Sequence, residues 1–217
     1  MPQMLRNVAL LLSGRGVAAI LGVLATIVMA KTLSAAEFGA VALIHALALL
    51  MRGLLNFKPF EAIVRYGADP GTAPDAFSRL LAFTRAMDHG SAVAATLATV
   101  AVVMLFGGHA GIDRADRFLA AGYALVLLAS GTGTAKGLLR LQGQFAVLGF
   151  AQAIAPAVRL CVFAISAVVA AGPAGFLAGF GLGLLAEYLL LQWLGARAAR
   201  SGGYRYRAGR FAPVALG

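Results

Sequence analysis

The sequence predicts an all-α fold class, a polytopic membrane protein whose six-helix transmembrane bundle has both termini in the cytoplasm. Hydrophobic residues make up 61% of the 217 residues and charged residues only 12%, against about 25% charged in an average soluble domain. The mean hydropathy is +0.87. The apolar residues fall in six segments, each near the roughly 20 residues that a helix needs to cross a bilayer.

The six segments define the domain organisation. Arg6 precedes the first apolar run in the manner of a signal peptide, but that run is too long and Arg15 interrupts it, so we expect a retained helix. Residues 1–200 form the predicted bundle. Residues 201–217 form a basic cytoplasmic tail, or a linker to a second bundle that is missing here. The predicted spans are 8–30, 39–57, 80–106, 118–141, 145–171 and 174–196.

The basic residues outside the spans predict the orientation. If the N-terminus is cytoplasmic, the outer side holds only Lys31, Arg114 and Arg117. Cytoplasmic loops carry the excess of Lys and Arg in membrane proteins, so both termini are predicted to be cytoplasmic. The remaining basic residues then lie on the inner side: Arg6, Lys58, Arg65, Arg79, Lys136, Arg140, Arg197, Arg200, Arg205, Arg207 and Arg210.

The net charge of +10 does not indicate a nucleic-acid partner. The basic residues lie between apolar segments and in the tail, where they meet anionic membrane lipids. No basic patch with interleaved aromatic residues occurs outside the tail, and we expect no nucleic acid to bind. Cys161 is the single cysteine, which excludes an internal disulfide or a cysteine-based metal site. No metal or cofactor is expected.

Three connecting segments carry local signals. Ser34 and Glu37 match a capping box, which predicts a tight turn, a second helix from about Ala35 and a hairpin of the first two helices. Residues 58–78 alternate charged, aromatic and proline residues, which predicts a short interfacial helix followed by a turn. Gly172 and Pro173 mark the turn between the last two spans.

Arg159 is the most informative residue, because it lies near the centre of the fifth span, about 14 residues after Phe145. A cation at that depth costs about 2.5–3.5 kcal/mol on insertion scales, which favours a place in a cavity over a place facing lipid. Glu187 is predicted at similar depth on the next, antiparallel span, where it could pair with Arg159. Pro156 predicts a kink or local opening beside the arginine. Glycines at 175, 179 and 183 predict close helix approach.

Two further arginines are candidates for the same cavity. Arg15 lies slightly inward of the centre of the first span, where it either serves the cavity or extends to the cytoplasmic interface. Arg52 lies nearer an inner helix end, where such extension is common. It is a candidate because the predicted hairpin places it beside Arg15.

Asp88 and His89 are candidates for coupling to an ion gradient. A membrane carboxylate can carry a proton or help to bind Na⁺, and a histidine can titrate near neutral pH. The alternative is structural, with Asp88 pairing with Arg85 on the same helix face.

The segment 31–39, Lys-Thr-Leu-Ser-Ala-Ala-Glu-Phe-Gly, resembles the N-terminal half of a polysaccharide flippase, from the O-antigen and exopolysaccharide translocases of the multidrug/oligosaccharidyl-lipid/polysaccharide exporter superfamily. A Leu-Arg turn followed by a helix with a central arginine is a further likeness, at residues 137–159. The resemblance covers residues 7–200 and depends on the order and spacing of the motifs. The matching residues are Arg15, Glu37, Phe38, Gly39, Arg65, Tyr66, Leu139, Arg140 and Arg159.

The resemblance implies a function in polysaccharide biosynthesis. Members of that family have 12 to 14 helices in two bundles that face each other across a central, often cationic cavity. They move undecaprenyl-pyrophosphate-linked oligosaccharides, precursors of lipopolysaccharide O-antigen and related glycans, from the inner to the outer leaflet of the bacterial inner membrane. A pyrophosphate suits the bidentate geometry of arginine. The implied partners are therefore this lipid and a second copy or second bundle.

Three other functions remain open from the sequence. A drug or small-molecule antiporter of the same superfamily would depend on Asp88 and Glu187 more than on the arginines. An inactive remnant or scaffold is compatible with a single bundle. A membrane-embedded lipid or glycan enzyme would need clustered acidic residues or a His-Asp arrangement. Because the eight acidic residues and three histidines are mostly dispersed, we do not expect an enzyme.

Overall fold

The computed structural model describes residues 2–68, 73–109 and 113–204, with side chains from residue 12 onward except those of 74, 114 and 115. All regular structure in these ranges is helical, which confirms the all-α fold class. The helices are α1 (Pro2–Thr32), α2 (Ala35–Leu54), α3 (Phe60–Gly67), α4 (Pro74–Phe106), α5 (Arg114–Ala124), a 3₁₀ helix (Leu125–Ser130), α6 (Gly133–Leu141), α7 (Phe145–Val168) and α8 (Gly172–Ser201).

Six segments of the described chain are long and apolar enough to cross a membrane, as the sequence predicts. Their bounds differ from the predicted ones by a few residues, mainly because α4 and α8 continue beyond the apolar core. The segments are Leu12–Thr32, Ala35–Leu54, Asp75–Phe106, Asp116–Leu141, Phe145–Val168 and Gly172–Ser201.

The predicted capping box at the start of α2 is confirmed. Glu37 Oε2 accepts hydrogen bonds from the Ser34 amide at 2.9 Å and from the Ser34 hydroxyl at 2.7 Å. The Glu37 amide donates to Ser34 Oγ at 3.3 Å. These bonds satisfy amides that a helix start leaves without partners, so α2 begins at Ala35.

The predicted packed hairpin of the first two helices is wrong. The chain turns at Ser34, but α1 packs along α7 and contacts α2 only sparsely. The physical reason is a close approach of two glycines, since a Cβ on Gly14 would lie 2.6 Å from the carbonyl oxygen of Gly149. Arg15 is exposed on α1 as a result, and the pairing of helices that was to place it beside Arg52 does not form.

The predicted close approach along the glycine series of α8 is confirmed. A Cβ on Gly179 would lie 2.6 Å from Phe163 Cδ1, and one on Gly183 would lie 2.5 Å from the carbonyl oxygen of Ala155. These small residues let α7 and α8 pack closely. The helix α7 is continuous across Pro156.

The fourth span is interrupted instead. After α5 the chain tightens into the 3₁₀ helix, leaves helical geometry at Gly131 and Thr132, and resumes as α6. The amide of Thr132 donates to the carbonyl of Ser130 at 2.8 Å. This span therefore contains an internal helix start, at Gly133, within the predicted membrane region.

The predicted short helix after the second span is confirmed as α3, while the turn predicted after it includes residues 69–72, outside the described ranges. Ile63 of α3 is fully buried, and a Cβ on Gly137 of α6 would lie 3.0 Å from Ile63 Cβ. The helix α3 therefore packs directly on α6, the second half of the interrupted fourth span, which we call the half-helix α6.

Candidate functional site

Arg159 lies on α7 in an aromatic environment. Its side chain is half-buried, and its guanidinium carbon lies 4.4 Å from the ring centroid of Phe180 on α8. A guanidinium over an aromatic face gains about 0.5–2 kcal/mol, more where water is excluded. The Nε atom of Arg159 is buried and has no hydrogen-bond partner in the described part of the chain. The cation is thus stabilised by a ring while one donor remains unused.

Phe180 connects Arg159 to two further helices. The His45 ring of α2 stacks on Phe180 with 3.7 Å between centroids and 24° between planes. His45 Nδ1 lies 2.6 Å from the hydroxyl oxygen of Tyr123 on α5. We call Arg159, Phe180, His45 and Tyr123 the Arg159 cluster. The sequence analysis did not single out Phe180 or Tyr123, because an aromatic residue in an apolar span carries no signal of its contacts.

Arg159 and Glu187 do not form the direct ion pair that their predicted depths allowed. Glu187 Oε1 lies 2.9 Å from the ammonium nitrogen of Lys136 on α6. The reason is helix register, since the contacts of Gly179 and Gly183 place residue 181 roughly opposite Arg159. Glu187 therefore lies about six residues, or about 9 Å, further along α8. The sequence analysis estimated the depth of Glu187 from the centre of the apolar run. That estimate was wrong because α8 continues beyond this run to Ser201.

Asp88 binds the start of the half-helix α6. Its carboxylate oxygens accept hydrogen bonds from the amides of Gly133 at 3.2 Å and Thr134 at 2.5 Å, and the side chain is 4% exposed. The first amides of a helix have no partner within the helix and carry partial positive charge, so a carboxylate there stabilises the helix start. Neither alternative predicted for Asp88 includes this contact.

His89 has different neighbours from Asp88. Its half-buried ring lies edge-on to Tyr188 of α8, with 6.5 Å between centroids. A Cβ on Gly131 would lie 3.4 Å from His89 Nδ1, so the histidine borders the interruption of the fourth span. The two residues that were predicted to act as an ion-coupling pair therefore both contact the interruption, through separate contacts.

A polar cavity of about 190 Å³ lies beside the interruption. We call it the break cavity. Arg52 enters it from α2, Asp88 from α4 and Lys136 from α6. Arg52 is half-buried and has no ion pair or hydrogen bond with any residue in the described ranges. The lining residues are Arg52, Asn56, Phe60, Asp88, Ser91, Ala95, Ser130, Thr132, Gly133 and Lys136.

The structure thus divides the predicted site residues among three places. Arg159 belongs to its own cluster, Arg15 is exposed, and Arg52 and Asp88 share the break cavity with Lys136. Glu187 does not line that cavity, but it forms an ion pair with Lys136, which does. The sequence analysis placed Lys136 among the basic residues on the inner side of the membrane. The run Gly131-Thr132-Gly133-Thr134 was the available signal, because two glycines among small polar residues favour an interruption of a helix.

Comparison with known proteins gives one curated relative that bears on localisation. The chain is similar to the inner membrane protein YghQ of Escherichia coli (strain K12), with 27% identity over 157 residues. The match covers 71% of this chain and 44% of the relative, so the chain spans less than half of that protein's length. No protein-family model matches the chain, and no solved structure matches it significantly. Together with the six apolar helices, the relative shows a multi-pass protein of the bacterial inner membrane.

Proposed function

We propose that this protein contributes a six-helix bundle to a transporter that moves a lipid-linked oligosaccharide across the inner membrane. The observation that carries the proposal is that Arg159 has no carboxylate partner in the described chain. No carboxylate of the described chain pairs with it, because Glu187 pairs with Lys136 instead. A cation in a membrane helix that has no carboxylate within ion-pair distance is available to an anionic group from outside the chain.

The surroundings of Arg159 suit a phosphate-bearing ligand. Phe180 supports one face of the guanidinium, and the buried Nε still has a hydrogen to donate. A guanidinium binds phosphate oxygens through two parallel hydrogen bonds. A pyrophosphate linker, as implied by the flippase resemblance, supplies such oxygens.

The interrupted fourth span supports transport over a scaffold role. Non-helical backbone at membrane depth occurs where it is buried or lines a cavity, and transporters use interrupted helices to build binding sites. The interruption here borders the break cavity. We further propose that both termini are cytoplasmic and that the bundle works with a second bundle or a second copy of the chain.

The antiporter alternative receives less support from the contacts. Both carboxylates that it requires already have partners. Asp88 accepts hydrogen bonds from two backbone amides, and Glu187 forms an ion pair with Lys136. A transported cation would have to displace these contacts before it could bind.

The test is a flipping assay with the purified full chain in liposomes. The substrate is a fluorescent oligosaccharide on a polyprenyl pyrophosphate, and flipping is measured as the fraction of label that a membrane-impermeant quencher reaches over time. We expect Arg159→Met to reduce the flipping rate at least tenfold, because the guanidinium is lost while the apolar volume is roughly kept. Arg159→Lys should give an intermediate rate, since lysine keeps the charge without the bidentate geometry.

Lys31→Met serves as the control, because Lys31 is an exposed cation at the end of α1, outside the Arg159 cluster. It should flip at the unaltered rate. Equal rates for Arg159→Met and the unaltered chain, at equal reconstituted amounts, would reject the assigned role. Flipping by neither would reject a second copy of this chain as the other half of the transporter, and the assay would then be repeated with co-reconstituted candidates for a second bundle.

A further inference from the structure

We propose that the break cavity binds one small oxyanion of the phosphate class between Arg52 and Lys136. This site lies inside a single bundle, and none of the residues of the Arg159 cluster lines it. It does not depend on the substrate proposed above.

The charges around the break cavity leave one cation uncompensated. Both carboxylate oxygens of Asp88 accept amide hydrogens of α6, and Lys136 is paired with Glu187. Arg52 is without such a partner in the described chain. A guanidinium in a membrane-spanning helix is stabilised by an anion, so the cavity favours a negatively charged occupant.

The other lining groups are suited to donate hydrogen bonds to that anion. Asn56 contributes an amide, and Ser130 and Thr132 contribute hydroxyls at the interruption itself. A lysine ammonium has three donors, so Lys136 can bind an oxyanion while it keeps its bond to Glu187. The volume of about 190 Å³ accommodates one phosphate-sized group.

A metal cation or Na⁺ fits this cavity less well. The only lining carboxylate belongs to Asp88, and the amides of Gly133 and Thr134 already occupy both of its oxygens. Two further lining residues, Arg52 and Lys136, would repel a cation. The geometry therefore selects an anion over a coupling cation at this position.

The experiment measures binding to the full chain in an uncharged detergent by isothermal titration calorimetry. One arm titrates inorganic phosphate and the other a short-chain phosphatidic acid, each against sodium chloride at matched ionic strength. We expect at least one phosphate probe to bind, with a stoichiometry near one for the part of the signal that the cavity variants remove, and chloride to give no comparable signal. Binding of both probes indicates a free or a lipid phosphate, and binding of phosphatidic acid alone indicates a lipid headgroup.

Two variants and a control assign the site. Arg52→Gln removes the uncompensated cation and should weaken binding at least tenfold. The double variant Lys136→Gln/Glu187→Gln removes the second cation without stranding the carboxylate, and should weaken it similarly. Arg197→Gln, an exposed arginine of α8 outside the cavity, should bind as the unaltered chain does. Melting temperatures verify that each variant is folded.

Three results would overturn the proposal. One is the absence of any phosphate signal above the chloride baseline. Another is unchanged affinity in both cavity variants, and the third is an equal loss in Arg197→Gln. If Arg52→Gln fails to fold, the double variant alone decides between these outcomes.

Discussion

The Arg159 cluster and the break cavity accommodate buried cations in different ways. In the cluster, continuous helices bring aromatic rings together, and Phe180 stabilises the guanidinium without any carboxylate. In the break cavity the backbone itself is interrupted, and the charges of Asp88, Lys136 and Glu187 are compensated by helix amides and by an ion pair. The comparison shows that the number of charges in a span does not identify a binding site. In these two sites, the informative cations are Arg159 and Arg52, which have no carboxylate within ion-pair distance in the described chain.

The largest effect is expected from Lys136→Met, which breaks the ion pair of the break cavity. The substitution leaves the carboxylate of Glu187 mostly buried without a partner. Loss of one member of a fully buried pair costs about 3–5 kcal/mol, and we expect about 2–3 kcal/mol here because both side chains keep some exposure. Thermal unfolding in detergent measures the loss.

The matched variant is Lys136→Met/Glu187→Met, in which no charge is stranded. It should recover most of the stability that Lys136→Met loses. A double variant as unstable as the single one would contradict the pairing and would leave Lys136 with a different role in α6.

A smaller effect is expected in the packing beneath the Arg159 cluster. Gly179→Ala places a methyl group 2.6 Å from Phe163 Cδ1, and Phe163 in turn contacts Phe180 at 5.2 Å between ring centroids. Overpacking of this kind costs roughly 1–3 kcal/mol. Gly16→Ala is the control, because a Cβ on Gly16 meets nothing within 4 Å. Equal melting temperatures for the two variants would show that α7 and α8 are not in contact at Gly179.

Local sequence signals predicted the six spans and the start of α2, but not the interruption of the fourth span, and non-local contacts decided the site. The capping box of Ser34 and Glu37 acts over three residues, so its outcome could be predicted from the chain alone. Hydropathy likewise located the spans. The partner of Glu187 depends on the register between α7 and α8, which the glycine contacts set. No pattern within either span contains that information.

The pairing of α1 illustrates the same limit. A tight turn predicted that α1 and α2 would pack together, but the turn constrains only the residues next to Ser34. The close contact of Gly14 with Gly149 directs α1 to α7, more than 100 residues away in sequence. The predicted pairing had made Arg52 a candidate beside Arg15, whereas Arg15 was a candidate because of its depth in the first span and is exposed in the structure.

The central claim is that Arg159 has no internal carboxylate partner and is therefore available to a ligand. A double-mutant cycle between Arg159→Met and Glu187→Gln, with unfolding free energies measured on the full chain, tests it most directly. Residues that do not interact give additive effects, within about 0.3–0.5 kcal/mol. We predict additivity for this pair, beside a clear coupling in the parallel cycle of Lys136→Met with Glu187→Gln. A coupling above about 1 kcal/mol between Arg159 and Glu187 would contradict the account.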